Sequence, residues 1–297
     1  MDLLAPPGVG ALSALGSAFT WALTSLLART IHPTLSFVAI NAIRSTVAGV
    51  LLVGWVVAVD GVRALTSMSM TTFVLLALSI ALAVGVGDNL FFESSRAVGL
   101  ARSMTIAMTY PLITTLLAAL ILDETITARV VVGALLTLAG IALIVAGRSH
   151  ATEERHEHYW LGVGAASLAS VAWGISPIMM KAPLQELDAA AVQSVRLPVA
   201  AAILWMMPWA RGAVGALVNG GRPVIVRMAA LSLLTVFSSV MYVAGIKYAG
   251  VAMGSILSSV APMFAIPLGA IFLGERLSLG AVLGVLVTIA GLAVLQL

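Results

Sequence analysis

Three observations predict an all-α integral membrane protein of ten transmembrane helices, built as two inverted five-helix repeats. Hydrophobic residues make up 61% of the 297-residue chain, charged residues only 9%, and mean hydropathy is +1.12. A soluble domain would carry roughly a quarter charged residues. The apolar runs are long enough to span a bilayer, which takes about 20 residues each. They are continuous rather than alternating, which argues against a β-barrel.

The third observation is a duplication. Displaced by 152 residues, Trp21 falls on Trp173, Arg29 on Lys181, Asn41 on Gln193 and Arg44 on Arg196. One residue is then lost. At a displacement of 151, Arg96 meets Lys247, Gly99 meets Gly250, Pro111 meets Pro262 and Glu124 meets Glu275. Gly133 and Gly140 fall on Gly284 and Gly291 in the same register. Prolines, glycines and charges repeated inside apolar helices mark two homologous halves around one pseudo-symmetric centre.

Turn residues divide the runs into helices at about 9–28, 34–58, 70–91, 97–121, 129–147, 160–180, 188–209, 225–246, 251–273 and 279–296. His32-Pro33 closes the first hairpin, Asp60-Gly61 follows the second helix, and Asp123-Glu124-Thr125 follows the fourth. Gly220-Gly221-Arg222-Pro223 precedes the eighth. The first repeat occupies 1–148, a hydrophilic linker 149–159 and the second repeat 160–297. The linker carries Glu153, Glu154, Arg155, Glu157 and three histidines, and reads as a solvated connection rather than a metal site. The N-terminus lacks a basic n-region, so the first apolar segment is expected to remain as a helix.

Five helices per half is an odd number, so the second half enters the membrane in the opposite sense. Such inverted repeats are the ground plan of many secondary transporters. Both termini then share one side. Loops after the odd-numbered helices and their flanks carry eight Arg, against two Arg and two Lys in the other four loops. The positive-inside rule accordingly places the termini outside.

Each half resembles the EamA repeat of the drug/metabolite transporter superfamily. The resemblance rests on Asn41-Ala42-Ile43-Arg44 and Gln193-Ser194-Val195-Arg196. It extends from Arg96 through Pro111 to Leu122-Asp123-Glu124-Thr125, and from Lys247 through Pro262 to Leu273-Gly274-Glu275-Arg276. It implies a multi-pass transporter of the plasma membrane with both termini cytoplasmic, against the charge count. Asp123 departs from the pattern, which has Gly there, as at Gly274.

Several residues are candidates for a substrate pathway. Arg44 lies too deep to reach the near interface, so it needs a partner or a wet cavity, and Arg196 is its repeat mate, somewhat nearer its helix end. They either hold a carboxylate or phosphate or cap carbonyls of neighbouring helices. Asn41 and Gln193, one turn away, supply hydrogen bonds to either role. Trp21 and Trp173 sit below the interfacial belt and need an acceptor or a cavity wall. Pro111 and Pro262 interrupt the fourth and ninth helices beside Tyr110 and Ser258, as hinges lining a cavity. Asp88 and Arg102 stand equidistant from Ser95 in the third hairpin. They read as a structural ion pair or as a proton- or substrate-sensitive gate. Glu124 and Glu275 are expected to bond backbone N–H groups where the next helix begins. The spaced glycines permit close packing between terminal helices or between protomers of a homodimer.

No nucleophile–base pair, metal-ligand spacing or phosphate-cradling loop appears, and no cofactor is implied. Without cysteines there are no disulfides or thiolate metal sites. The scattered basic residues give no nucleic-acid face. The leading expectation is alternating-access transport of a small organic metabolite, an amino acid or related compound, in the direction of export and with proton coupling open. The alternatives are antiport of phosphorylated metabolites or nucleotide sugars, and a membrane scaffold without transport.

Overall fold

A computed structural model describes residues 7–31, 34–98, 100–146, 159–273 and 278–296. The inter-repeat linker and Glu275 lie outside the described residues, as do the side chains of Arg29, Arg96, Arg102 and Thr105. Ten helical columns follow the expected order. They are α1 (Pro7–Ile31), α2 (Phe37–Asp60), α3, α4, α5 (Ala128–Ala146), α6 (Tyr159–Met180), α7 (Ala189–Met206), α8 (Gly221–Ala249), α9 and α10 (Leu279–Gln296). α3 runs as Met70–Ile80, a π-helical stretch Ala81–Asp88, and Asn89–Val98. Among the described residues seven spans are long and apolar enough to cross a membrane, and three shorter apolar helices complete the ten. Ser36 and Asp188 start α2 and α7 as matched N-caps, accepting from the N–H groups of Ala39 and Ala191.

α4 and α9 are broken, not merely bent. α4a (Leu100–Ala107) gives way to α4b (Tyr110–Ile121), and α9a (Val251–Ser258) to α9b (Ala261–Leu273). Pro111 and Pro262 stand in the first turn of the new segment, where a missing N–H costs nothing. The hydroxyls of Thr109 and Ser259 donate to the carbonyls of Ile106 and Ile256, which satisfies part of each break. α2 starts later than the sequence suggested. Arg44 and Arg196 are therefore both the eighth residue of their helices, about 12 Å along the axis at 1.5 Å per residue.

The halves interlock instead of forming two separate bundles. The closest packed pairs are α1 with α8, α3 with α6, α2 with α7 and α5 with α10, each joining one half to the other. Small residues let these backbones meet. A Cβ on Gly140 would lie 2.5 Å from the Thr288 nitrogen, and one on Gly291 would lie 2.5 Å from that of Thr137. The glycine stripes thus serve the contact between α5 and α10, the terminal helices of the halves.

The two membrane faces are packed differently. On the face where α1 begins and α10 ends, α4b packs on α9a and α7 on α8. There Leu76, Met180, Val192, Val195, Val243 and Ile246 belong to one buried apolar cluster. On the opposite face the equivalent pairs would be α9b with α4a and α2 with α3. Neither is among the closely packed pairs of described residues. The largest apolar cluster on that face draws on α1, α2, α8 and the connection before α8, and a smaller one sets Val84 of α3 against Ala42 of α2 and Leu204 of α7. Among the described residues the terminal face is sealed, and the opposite face is parted, beyond Val84, between α2 and α9b on one side and α3 and α4a on the other.

Candidate functional site

The repeated arginines have come to different ends. Arg196 is 3% exposed. Its Nε donates to Ser79 Oγ at 3.1 Å, its second guanidinium nitrogen to Ser176 Oγ at 3.2 Å, and its first to Gln193 Oε1 at 3.4 Å. Gln193 in turn donates to the Ser239 carbonyl at 3.1 Å. This is what a buried guanidinium requires: a charge out of water is tolerated only when its donors are used. Arg196 joins α3, α6 and α7 just inside the sealed face.

Arg44 has no such shell. The position 151 residues on from Ser79 is Ala230, which offers no hydroxyl. Among the described residues Arg44 makes no hydrogen bond, and its Nε is enclosed without a partner. Its guanidinium carbon lies 5.1 Å from the ring centre of Trp21, which is 47% exposed. Cation–π contact is worth about 0.5–2 kcal/mol and leaves the edge donors free. The result is a half-buried guanidinium on an aromatic plate, facing the parted side.

Across the gap stands a second aromatic group. The Trp173 indole N–H is shared between Asp88 Oδ1 at 3.0 Å and the Ala83 carbonyl at 3.1 Å. Ala83 and Asp88 both lie in the π-helical stretch of α3, where widened turns expose carbonyls to an inserted group. Gly87 makes the room, since a Cβ there would come 2.5 Å from the indole. Phe91 and Tyr110 pack on Trp173 with ring centres at 5.4 and 6.3 Å. The Tyr110 hydroxyl reaches the Ser255 carbonyl at 3.4 Å, spanning α4b and α9a. Asp88 is within Coulombic reach of Arg44 without forming an ion pair at contact distance.

Glu124 fastens the sealed face. Its Oε1 accepts from the Val251 N–H at 3.0 Å and from Lys181 Nζ at 3.1 Å, while Oε2 accepts from the Ala252 N–H at 3.1 Å. The sequence suggested that Glu124 caps the next helix, α5. It instead caps α9a, in the other half of the chain, because inverted interlocking brings that N-terminus over the end of α4b. Lys181 is 35% exposed, so the ion pair itself is worth under about 1 kcal/mol. The two backbone bonds at a helix N-terminus carry more. Partial burial works against ionisation of Glu124. The N–H groups of Val251 and Ala252, with Lys181, outweigh it and hold the carboxyl below its usual 4.5. The turn before it depends on Asp123, whose φ of +53 is the conformation a glycine would take. Aspartate reaches it at a cost of roughly 1 kcal/mol.

The structure brings Trp21 to Arg44, Trp173 to Asp88 and Gln193 to Arg196. Asn41 lies one turn before Arg44 but makes no hydrogen bond among the described residues. Ser258 lies beside the α9 break with Pro262, its hydroxyl enclosed and unpartnered. The Asp88–Arg102 pair falls outside the described side chains, and Trp173 is the partner Asp88 shows. Ser79, Ser176, the π-helical stretch and the reach of Glu124 across the halves were not read from the sequence. In the register of the repeat Asp88 and Arg102 fall on Ser239 and Met253, so the charge of this region is not duplicated.

Two predictions follow from this asymmetry. Arg196→Ala strands Ser79, Ser176 and Gln193 and should cost about 3 kcal/mol. Arg44→Ala should leave thermal stability within about 0.5 kcal/mol, both read as melting shifts in detergent. The Glu124 carboxyl is held low, so its stabilisation is full above 4.5 and fades as pH falls through the lowered value. The melting difference between wild type and Glu124→Gln should shrink over that acid range and stay constant above it.

Comparison with known proteins agrees with this architecture. No curated protein matches the chain. A solved crystal structure matches with a TM-score of 0.77 and 18% identity, covering 97% of this chain and 96% of its own. At that identity the likeness shows the fold. The model of the EamA-like transporter family matches twice, over residues 8–146 and 160–297. The chain belongs to the EamA-like transporter family and is a multi-pass secondary transporter with two repeats.

Proposed function

We propose that the chain moves a small organic solute carrying an anionic group, by closing its two faces in turn, and that Arg44 reads that group. The carrying observation is the contrast between the repeated arginines. Arg196 spends its donors inside the protein, whereas Arg44 keeps its own on an exposed aromatic plate at the parted face. An intramembrane arginine without protein acceptors needs water or a ligand. Carboxylate fits the planar guanidinium edge, and Trp21, Trp173, Phe91 and Tyr110 suit an apolar remainder.

Amino acids and related metabolites combine these features, and export across the plasma membrane is the direction we assign. Proton coupling would enter through a carboxylate at depth, of which Asp88 is the example. Phosphorylated metabolites fit less well. They call for more than one free cation, while the two lysines of the chain are engaged, Lys181 by Glu124 and Lys247 by the Leu187 carbonyl. A scaffold has no use for a guanidinium kept unpaired. The glycine faces that could have joined two protomers are occupied by the contact of α5 with α10.

Counterflow in proteoliposomes tests the reading, with pooled labelled neutral, aromatic and acidic amino acids beside phosphorylated sugars. Uptake from an amino-acid pool that falls at least tenfold in folded Arg44→Ala is the expected result. Uptake unchanged by that substitution would remove Arg44 from the site, and uptake of phosphorylated sugars alone would favour the antiporter.

A further inference from the structure

Among the described residues Asp88 is the acidic side chain that faces Arg44, and the transport reading names it only as the place where proton coupling would enter. Its described contact is a neutral indole, Trp173, at 3.0 Å. A carboxylate at membrane depth facing a gap, with one neutral donor and no ion pair at contact distance, is poorly compensated when ionised. Its surroundings can be enumerated. On α2 the facing charge is Arg44. On α7 Arg196 is spent on Ser79, Ser176 and Gln193. On α6 Lys181 is held by Glu124 at the other face, and on α4b the Tyr110 hydroxyl is turned to Ser255. Glu93, further along α3, is exposed. On α4a the side chain of Arg102 lies outside the described residues.

Arg44 and Asp88 stand on opposite lips of the opening, since α2 and α3 are the helices that part there. Closing that face would bring them together. Two anions then compete for one guanidinium: the Asp88 carboxylate and the anionic group of the solute.

We propose that Asp88 is a proton-binding site that decides which of them Arg44 takes. With Asp88 protonated, Arg44 is open to the solute, and the face can close over the bound anion. With the site empty, Asp88 gives up its proton to water and serves as the counter-ion of Arg44 during closure. Proton and solute therefore occupy the site in the same half of the cycle. The second repeat supplies no equivalent, because Ser239 stands at the matching position and the Arg196 network is complete without one. This proposal rests on the transport reading for its purpose, but the protonation itself is measurable without a solute.

The first test is infrared difference spectroscopy of the detergent-solubilised, solute-free protein across a pH titration. Asp88→Asn keeps an oxygen for the Trp173 N–H and removes the proton site, so folding should be retained. A carboxyl C=O band that titrates in wild type, vanishes in Asp88→Asn and moves with an indole N–H mode lost in Trp173→Phe is the expected result. Superimposable wild-type and Asp88→Asn difference spectra would overturn the proposal. In proteoliposomes with pooled labelled amino acids, Asp88→Asn should keep counterflow within about twofold of wild type while net efflux falls more than tenfold. The empty carrier then lacks its counter-ion and cannot return. Net efflux equal to wild type would also overturn it. A titrating Asp88 band in a wild type that takes up no pool would count against the transport reading while upholding the protonation.

Discussion

A guanidinium inside a bilayer must be fully bonded or wet, and this protein meets that requirement in both ways at once. One arginine was written twice, at the same depth of two inverted helices. In the second half Ser79, Ser176 and Gln193 converge on Arg196 and make it part of the packing. In the first half no equivalent shell forms, and Arg44 rests on Trp21 at the edge of a gap. The difference is chemical as well as conformational: a serine that accepts has an alanine for its mate.

The interlocked halves explain how such a difference can reside in one compact fold. Each principal contact joins one half to the other, so a shift of one group of helices moves both ends of the pathway together. The terminal face is held shut by a broad apolar cluster, with the Glu124 carboxylate capping α9a across the halves. The broken helices α4 and α9 put helix termini and free hydroxyls near the centre, where an unbroken helix would have presented a closed ladder. A membrane protein tolerates those ends only where protein or water satisfies them. Sealing one face and parting the other is the asymmetry that alternating exposure requires.

The ten helices, their inversion and the matched charges were legible in the sequence, because apolar length and repeated Pro, Gly and Arg positions survive duplication. The stripe at Gly133, Gly140, Gly284 and Gly291 announced close packing, between the terminal helices or between protomers, and the structure uses it for the former. What the sequence could not disclose was the identity of partners across the interlock. Nothing marks Ser79 or Ser176 off from the other serines of apolar helices, and nothing in the turn after α4b shows that Glu124 reaches α9a. No local sequence feature marks the π-helical stretch at Ala81–Asp88 either. It follows from the insertion of Trp173 into α3 and from the room left at Gly87, both of which are tertiary facts. Helix α2 began three residues later than its hydropathy suggested, because Ser36 caps it.

The central claim is that the terminal face is sealed and the opposite face gives water access to Arg44. The chain has no cysteine of its own, so single substitutions report without background. Trp21→Cys and Val243→Cys, in native membranes treated with a membrane-impermeant maleimide, test the claim most directly. Trp21 stands beside Arg44 at the parted face, and Val243 is fully buried in the terminal-face cluster. The account predicts rapid modification at position 21 and protection at position 243, whichever side the reagent enters from in permeabilised vesicles. Protection at 21 with modification at 243 would contradict it.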